Sequence, residues 1–405
     1  MWAVLAFVAL LETPDFNAEG SAALDAHQYE AAAQAFTKAI QADPRDYTAH
    51  FNLGVACSYL HRDAEGAAEY RKALELQPGL YEAQLNLGML LLRQKEPADA
   101  LEPLSAAADQ KPREYAPRYY LAEAQLATGA LDQAQANYRL ALAANPKSAA
   151  AELGLARALA RDVKLADAAP HFRQAAQLDA SFRGALLELA DLYEKDHSTA
   201  DAIAIYRELP DNAAAQARLG ELLLEGRQSA DAIAPLEAAY RKSPIAANRV
   251  ALAAAYAGAG QFEKALPLLQ EAVAAEPSNF DLRMLRGRAL RDTRQFPAAA
   301  AEFSAALKLK PDEAQTWSEL GSVLYMMGDY QQSLAALERA RELGQDTAGN
   351  WFFRAIMLDK LKQVKPALEA YQKFLALSNG QNPNQEFQAR QRSRWLKKEL
   401  DKGVR

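Results

Sequence analysis

A 34-residue unit recurs along the chain, and it constrains the fold more than any other feature. The clearest copy covers residues 47–80, and the next, 81–114, repeats its small residues and its late proline at the same offsets. With each unit taken as helix, turn and helix, about eleven copies fit, starting near residues 13, 47, 81, 115, 149, 183, 213, 246, 280, 314 and 348. A repeat of this length predicts one array of helix pairs, in which each unit contacts only its neighbours.

Four columns of the repeat stay in phase over all copies. Position 8 is Gly or Ala throughout, from Gly20 to Ala355, and position 20 is Gly, Ala or Ser. Position 24 is always bulky, from Phe36 to Tyr371, and position 27 is Ala in nine copies. Small residues are needed where two helix backbones cross closely, and a bulky residue fills the space that they leave.

Turn and helix-end residues agree with this division. Proline cannot continue a helix from inside, so a recurring proline predicts the end of each second helix: Pro44, Pro78, Pro112, Pro146, Pro244, Pro277 and Pro311. Glycines predict turns between the helices of a pair: Gly129, Gly226, Gly260 and Gly328. The sixth copy is short, with Leu209 and Pro210 where its second helix should continue, which predicts a bend there.

In phase, length and column identity, this repeat resembles the tetratricopeptide repeat family from Thr13 to about Gln381. The resemblance implies an all-α, right-handed superhelical solenoid whose first helices line a concave groove. We therefore divide the chain into an apolar segment (1–12), a solenoid (13–381) and a capping helix with a tail (382–405). The cap is predicted as one helix over 385–402, with Phe387, Trp395, Leu396 and Leu400 roughly on one side, because the last repeat would otherwise expose its apolar face.

The resemblance also implies which residues face the groove, since positions 2, 5, 9, 12 and 13 of each first helix do so in that family. Carried over copy by copy, the apolar end contains Phe51, Val55, Tyr59, Leu85, Met89, Leu92, Arg93, Tyr119, Glu123, Leu126 and Leu153. An acidic middle follows with Asp191, Glu194, Glu221 and Glu225. A mixed stretch ends the groove with Met284, Arg288, Arg291, Tyr325, Met326, Phe352 and Ile356. Asn52 and Asn86 resemble the asparagines with which some members hold a peptide backbone.

For each apolar groove residue, packing between adjacent first helices is the alternative interpretation. Taken together, the aromatic residues and methionine at the amino-terminal end favour a surface that buries a peptide or helix of a partner, because such side chains adapt to varied ligands. The sequence therefore predicts a protein–protein interaction scaffold. The alternative is a cell-envelope accessory protein that assists assembly or export of surface polymers.

Charge and motif content exclude several other classes. The net charge of −6 argues against nucleic-acid binding, which normally needs a basic surface. A lone cysteine, Cys57, excludes an intramolecular disulfide and a cysteine-based zinc site. His50 and His171 lack a second ligand at metal spacing, while His27, His61 and His197 share one turn offset. No nucleophile elbow or phosphate-binding loop is present, so we expect no enzyme, cofactor or metal.

The amino-terminal segment leaves localisation open. Residues 1–11 form an unbroken apolar run, which is too short for a membrane span of about 20 residues. Its length suits the core of a signal peptide, yet a basic leader and a cleavage site are absent. It is either a signal remnant, which would indicate export to the cell envelope, or part of a preceding second helix, which would fit a cytoplasmic protein.

Overall fold

The computed structural model describes residues 15–403, and all regular structure in that range is helical. The helices up to the sixth pair are α1 (Phe16–Asp25), α2 (Tyr29–Ala42), α3 (Tyr47–Tyr59), α4 (Asp63–Leu76), α5 (Tyr81–Arg93), α6 (Pro97–Gln110), α7 (Tyr115–Thr128), α8 (Leu131–Ala144), α9 (Ala149–Arg161), α10 (Leu165–Leu178), α11 (Ala185–Lys195) and α12 (Thr199–Arg207). The remaining helices are α13 (Ala213–Glu225), α14 (Ser229–Lys242), α15 (Ala246–Gly258), α16 (Phe262–Ala275), α17 (Phe280–Asp292), α18 (Phe296–Leu309), α19 (Ala314–Met327), α20 (Tyr330–Glu342), α21 (Ala348–Lys360), α22 (Val364–Ser378) and α23 (Pro383–Gly403). The predicted all-α architecture of helix pairs is confirmed.

Most first helices begin where the repeat unit begins, and the two exceptions have local causes. Helix α1 begins at Phe16, because the Asp15 carboxylate accepts hydrogen bonds from the backbone N–H groups of Asn17 and Ala18 at 3.1 and 3.0 Å. Helix α11 begins at Ala185 rather than 183, because a 3₁₀ turn (Ala180–Gly184) precedes it. The predicted segment 1–12 lies outside the described residues.

The described residues divide into two compact units, with the boundary between Ile205 and Tyr206, and we describe each unit separately. The division falls within α12, which has 9 residues where α14 has 14. Leu209 and Pro210 follow α12, and proline removes the backbone N–H that a longer helix would need.

Close contact between the two helices of a pair explains the small and bulky columns. A Cβ added to Gly54 would lie 2.7 Å from the Tyr70 ring, and one on Gly88 would lie 2.3 Å from Cγ of Leu104. In the carboxy-terminal unit, a Cβ on Gly287 would meet the Phe303 ring at the same 2.7 Å. Each of these pairs joins position 8 to position 24 of one repeat, and the bulky partner is fully buried in all three.

The turn between the helices of a pair has a left-handed residue at position 15 in every copy. Glycine supplies it at Gly129, Gly260 and Gly328. In the other copies a residue with a side chain adopts a positive φ of 55–63°: His27, His61, Lys95, Val163, His197, Arg227, Arg294 and Lys362. The turn interpretation of the three histidines is confirmed. Gly226 has a φ of −74°, so the left-handed turn residue of the seventh copy is Arg227.

A recurring polar contact joins consecutive repeats. The side chain at position 4 donates a hydrogen bond to the carbonyl oxygen of the proline that ends the preceding unit. The donor–acceptor distances are 2.9 Å for Gln84 and Pro78, 2.7 Å for Arg283 and Pro277, and 2.7 Å for Trp317 and Pro311. Each of these prolines lies in the turn just beyond a helix, so its carbonyl oxygen takes part in no helical hydrogen bond and the side-chain donor satisfies it.

The carboxy-terminal helix α23 packs on α22 through a face that differs from the predicted one. Ala389 and Leu396 are fully buried, whereas Phe387 and Trp395 are 65% and 47% exposed, so the predicted apolar face is wrong for these two residues. A charged residue, Glu386, is buried instead, at 4% exposure. Its carboxylate accepts hydrogen bonds from Ser378 Oγ, the Gly380 backbone N–H and the Arg390 guanidinium, each at 2.7 Å.

The close contact between Gly88 and Leu104 predicts that one substitution has opposite effects on the free energy of unfolding, depending on whether Leu104 is present. Gly88→Ala should lower the free energy of unfolding by about 1–3 kcal/mol, because the new methyl group overlaps the buried Leu104 side chain. In a Leu104→Ala background the same change should stabilise by up to about 1 kcal/mol, because alanine favours a helix over glycine. Gly79→Ala, where nothing lies within 4 Å of the added Cβ, is the control. Urea unfolding followed by circular dichroism measures all four variants, and an equal effect of Gly88→Ala in both backgrounds would contradict this origin of the small column.

The turn geometry predicts a stabilising substitution. Val163 is β-branched, 82% exposed and held at a φ of 60°, where a branched side chain is strained. Val163→Gly should therefore raise the free energy of unfolding by about 1 kcal/mol. The matched control is Gly129→Val, at the same turn position of the preceding repeat, which should destabilise by a similar amount. Thermal unfolding of both variants measures the effect, and a stabilising Gly129→Val would show that the turn tolerates branching.

The buried carboxylate of Glu386 predicts a pH dependence. Its hydrogen bonds, above all that from Ser378, lower its pKa relative to an ordinary carboxyl group. Because the pKa is lower in the folded state, ionised Glu386 stabilises the fold fully above the ordinary carboxyl pKa of about 4.3. This stabilisation is lost as the pH falls through the pKa of the folded state. Glu386→Gln should lower the unfolding temperature clearly near pH 7, with the difference shrinking toward about pH 3. A difference that is constant with pH would exclude the carboxylate as its source.

Candidate functional site

A cavity of about 820 Å³ opens along the first helices of the second, third and fourth repeats. We name it the α3–α5–α7 groove. Eight of the predicted groove residues line it: Val55, Tyr59, Asn86, Met89, Leu92, Arg93, Tyr119 and Glu123. The structure therefore brings together residues that are 68 positions apart in sequence, and their role in binding stays a prediction.

Tyrosine rings form the walls of this groove, and neighbouring rings hold them in place. Tyr59 is 59% exposed and stacks on Tyr29 with 4.4 Å between ring centroids and 7° between planes. Tyr119 stacks on Tyr115 at 5.3 Å and meets the buried Tyr138 edge-on at 6.2 Å. Burial raises the pKa of Tyr119, so this phenol stays neutral and can both donate and accept a hydrogen bond.

Three other predicted residues lie outside the cavity lining. Phe51 and Leu85 are half-buried and pack against the core of the unit, with the Phe51 ring 5.8 Å from that of Tyr70. Asn52 is half-buried on the same helix as Phe51. For Phe51 and Leu85 the structure favours packing between helices, the alternative that the sequence left open.

Some lining residues were missed by the sequence analysis. Tyr70 belongs to the bulky column and was assigned to packing alone, yet its hydroxyl lies in the groove, 3.1 Å from Ser58 Oγ. Burial raises the pKa of Tyr70 to about 12, and the Asn86 side chain also hydrogen-bonds to it. The Asn86 side chain therefore already has one hydrogen-bond partner, the Tyr70 hydroxyl. The sequence signal that could have identified Tyr70 is its polar hydroxyl at position 24, where other copies have leucine.

The arginine side chains beside this groove are paired. The guanidinium of Arg93 forms two hydrogen bonds with the Asp63 carboxylate and a further one, at 3.3 Å, with the Ser58 carbonyl. Arg62 pairs with Glu30 at 3.0 Å. Because these positive charges are neutralised, the groove offers mainly aromatic and apolar surface, together with the Glu123 carboxylate.

A second cavity, of about 510 Å³, lies along α7, α9 and α11 and shares Glu123 and Ala127 with the α3–α5–α7 groove. Its lining combines charged side chains with leucine and alanine. Arg157 pairs with Glu188 through bonds of 2.8 and 3.1 Å, and Tyr138 donates a hydrogen bond to Glu123. The predicted groove residue Leu126 is 8% exposed and lines this cavity, whereas Leu153 is 7% exposed and lies in the core.

Three of the four carboxylates in the predicted acidic middle of the groove lie beside a cation of the same unit. In the amino-terminal unit, Asp191 pairs with Lys195 at 2.6 Å, and Glu194 is half-buried. In the carboxy-terminal unit, Arg218 pairs with Glu221 at 2.9 Å and with Glu225 at 3.6 Å. The single Arg218 therefore balances only one of the two glutamates beside it, and the role of these residues in binding stays a prediction.

The later groove positions also separate into core and surface. Met284 and Phe352 are each 6% exposed; Met284 packs in the core of the unit, and Phe352 lies at the base of a cleft described below. Met326 is 59% exposed. The carboxylate of Glu319 holds the guanidinium groups of both Arg288 and Arg291, which neutralises part of the positive charge expected there.

Within residues 15–403, no group of three or more potential metal ligands comes together. His50 and His171 each contact one glutamate at 2.6 Å, Glu69 and Glu152 respectively. Cys57 is fully buried, and burial raises the pKa of its thiol to about 12. No helix in the same range is long and apolar enough to cross a membrane.

Stacked helix pairs with a groove along their first helices define a helical repeat protein of the interaction class. The family model for the tetratricopeptide repeat matches residues 17–79, 59–115, 119–181, 250–314 and 318–382. These matches cover well over half of the chain, so it belongs to the tetratricopeptide repeat family, as the repeat pattern indicated.

Two characterised proteins show the reach of this similarity. The human protein O-mannosyl-transferase TMTC1 is 29% identical over 100 residues, which cover 24% of this chain and 11% of that protein. The Hsp70-Hsp90 organizing protein of Triticum aestivum is 33% identical over 91 residues, or 22% of this chain and 16% of that protein. The chain thus spans less than a fifth of either relative.

Among solved structures, MamA from Desulfovibrio magneticus RS-1 is 21% identical over 41% of this chain and 94% of that chain, with a TM-score of 0.39.

Proposed function

We propose that this chain is a non-enzymatic interaction scaffold that binds a peptide or helical segment of a partner protein in the α3–α5–α7 groove. The observation that carries the proposal is the cavity of about 820 Å³ into which Tyr59, Met89 and Tyr119 project from three successive first helices. A binding segment would lie across these helices and bury one apolar side chain against each.

The chemistry of the groove supports a protein segment as its occupant. Tyrosine offers a large apolar face with a polar end at low cost in conformational entropy, and stacking fixes the rings of Tyr59 and Tyr119 before binding. Met89 adds a flexible, polarisable contact between them. Backbone groups of a bound segment would find hydrogen-bond partners in Asn86 and Glu123.

The relatives support the general role and leave the partner open. The name of the wheat relative describes a protein that organises two other proteins, and its similarity to this chain covers only part of it. We carry over the scaffold role and not its partners. The match to the mannosyl-transferase covers 11% of that enzyme, and we attribute to this chain no transferase activity.

A charge substitution in the groove tests the proposal. The double variant Tyr59→Glu and Met89→Glu should lose at least tenfold in affinity for a groove ligand, because two buried apolar contacts become unpaired charges. The assay is a pull-down from the host lysate with quantitative mass spectrometry, after circular dichroism shows that the helix content is unchanged.

The matched control is Leu140→Glu, which puts the same charge on another exposed apolar residue, on the second helix α8. Proteins that bind the intact chain and Leu140→Glu but not the double variant support the groove. The same set of proteins with all three chains would contradict it.

A further inference from the structure

A separate apolar cleft of about 540 Å³ lies in the carboxy-terminal unit, between α21 and α23. Buried rings of Phe352 and Tyr371 form its floor, and half-buried Ile356 forms one wall. The other wall is α23, through the exposed side chains of Phe387 and Trp395. The cleft is thus bounded by apolar groups on both sides and at the base.

Phe387 and Trp395 do not anchor α23 to the rest of the unit. Ala389 and Leu396 on the opposite face of the helix are fully buried and anchor it to the core of the unit. Phe387 and Trp395 are eight positions apart, which places them about 12 Å apart along the helix axis. That spacing suits two apolar side chains that lie two turns apart on a helical partner.

The Trp395 ring is held in its exposed position. The Arg392 guanidinium forms two hydrogen bonds with the Asp359 carboxylate, one of them at 2.8 Å. The same guanidinium stacks on the Trp395 ring, 4.0 Å from its centroid. The wall of the cleft is therefore ordered before any ligand binds, which lowers the entropy cost of binding.

Charge around the cleft differs in sign from the chain as a whole. Helix α23 contains six Lys or Arg against three Asp or Glu, although the chain carries a net charge of −6. Arg394 and Lys398 follow Phe387 by seven and eleven positions, on the same exposed stripe of the helix. Neither forms an ion pair within residues 15–403, so two cations beside the aromatic residues are left to a ligand.

We propose that this cleft docks an acidic amphipathic segment of a partner protein. Its apolar side chains enter between Ile356 and the aromatic residues of α23, and its carboxylates face Arg394 and Lys398. The proposal is independent of the α3–α5–α7 groove, where the arginine side chains Arg62 and Arg93 are already paired.

The cleft favours a peptide over an anionic membrane or a second copy of the chain. A membrane would need the apolar residues to protrude, whereas here they line a concave surface. A second copy that docked through its own α23 would bring two helices of the same positive charge together, which opposes that symmetric association.

A peptide-display library of random 16-residue segments, selected on the intact full-length protein, is the probe for this cleft. We expect enriched peptides with apolar residues at helical spacing and flanking Asp or Glu. Fluorescence anisotropy of a labelled selected peptide should show affinity at least tenfold lower for Phe387→Ser with Trp395→Ser, and for Arg394→Glu with Lys398→Glu. Binding should also weaken as salt rises.

Two matched controls separate this cleft from other surfaces. Lys397→Glu reverses a single charge on α23 outside the exposed stripe, which is half the charge change of the double variant, and it should leave binding within about twofold. The double variant Tyr59→Glu and Met89→Glu should bind the peptide normally. A failure of the binding proposed for the α3–α5–α7 groove can therefore be distinguished from a failure of the binding proposed for the cleft. Enrichment of peptides without acidic residues, or none at all, would overturn the proposal. So would binding of α23 to phosphatidylserine vesicles in place of peptides, or self-association by sedimentation that depends on Phe387 and Trp395.

Discussion

The structure depends on the close crossing of two helices within each repeat. A glycine or alanine at position 8 lets the bulky residue at position 24 lie against the backbone, as Leu104 does at Gly88. This contact buries the bulky side chain at position 24 and fixes the first helix against the second. The opposite side of each first helix is then free to contribute to a surface, which is why Tyr59, Met89 and Tyr119 can line one cavity.

Polar contacts complement this packing at the joints between units. The side chain at position 4 reaches the carbonyl oxygen of the preceding proline, through residues as different as Gln84 and Trp317. Only a donor of sufficient length is required, so the residue type varies while the contact stays. The left-handed residue at the turn behaves similarly, since Gly129 and Val163 occupy the same place in neighbouring copies at very different intrinsic cost.

The repeat period predicted the helix pairs, their crossing columns and most helix starts, because those features depend on spacing alone. It could not predict which groove-facing residues stay accessible. Tyr59 and Leu153 satisfy the same rule, yet one is 59% exposed and the other 7%, because burial depends on the neighbouring side chains. Helix α23 is not part of a repeat, so no column of the repeat indicated which of its residues face the core. Apolar character alone then pointed to Phe387 for the buried face, whereas Glu386 is buried and its charge is stabilised by three hydrogen bonds.

The two apolar openings differ in how their charges are satisfied, and the ligands that we propose for them differ for this reason. Along the α3–α5–α7 groove, Arg93 is neutralised by a carboxylate of the chain itself, so the proposed partner would gain mainly from aromatic and apolar contact. At α23, Arg392 pairs with Asp359, while Arg394 and Lys398 have no ion-pair partner within the described residues. The proposed ligand of the cleft would therefore gain from opposite charge, which speeds association and disfavours basic competitors. One family fold thus presents a mainly aromatic and apolar surface and a basic one through the placement of a few carboxylates.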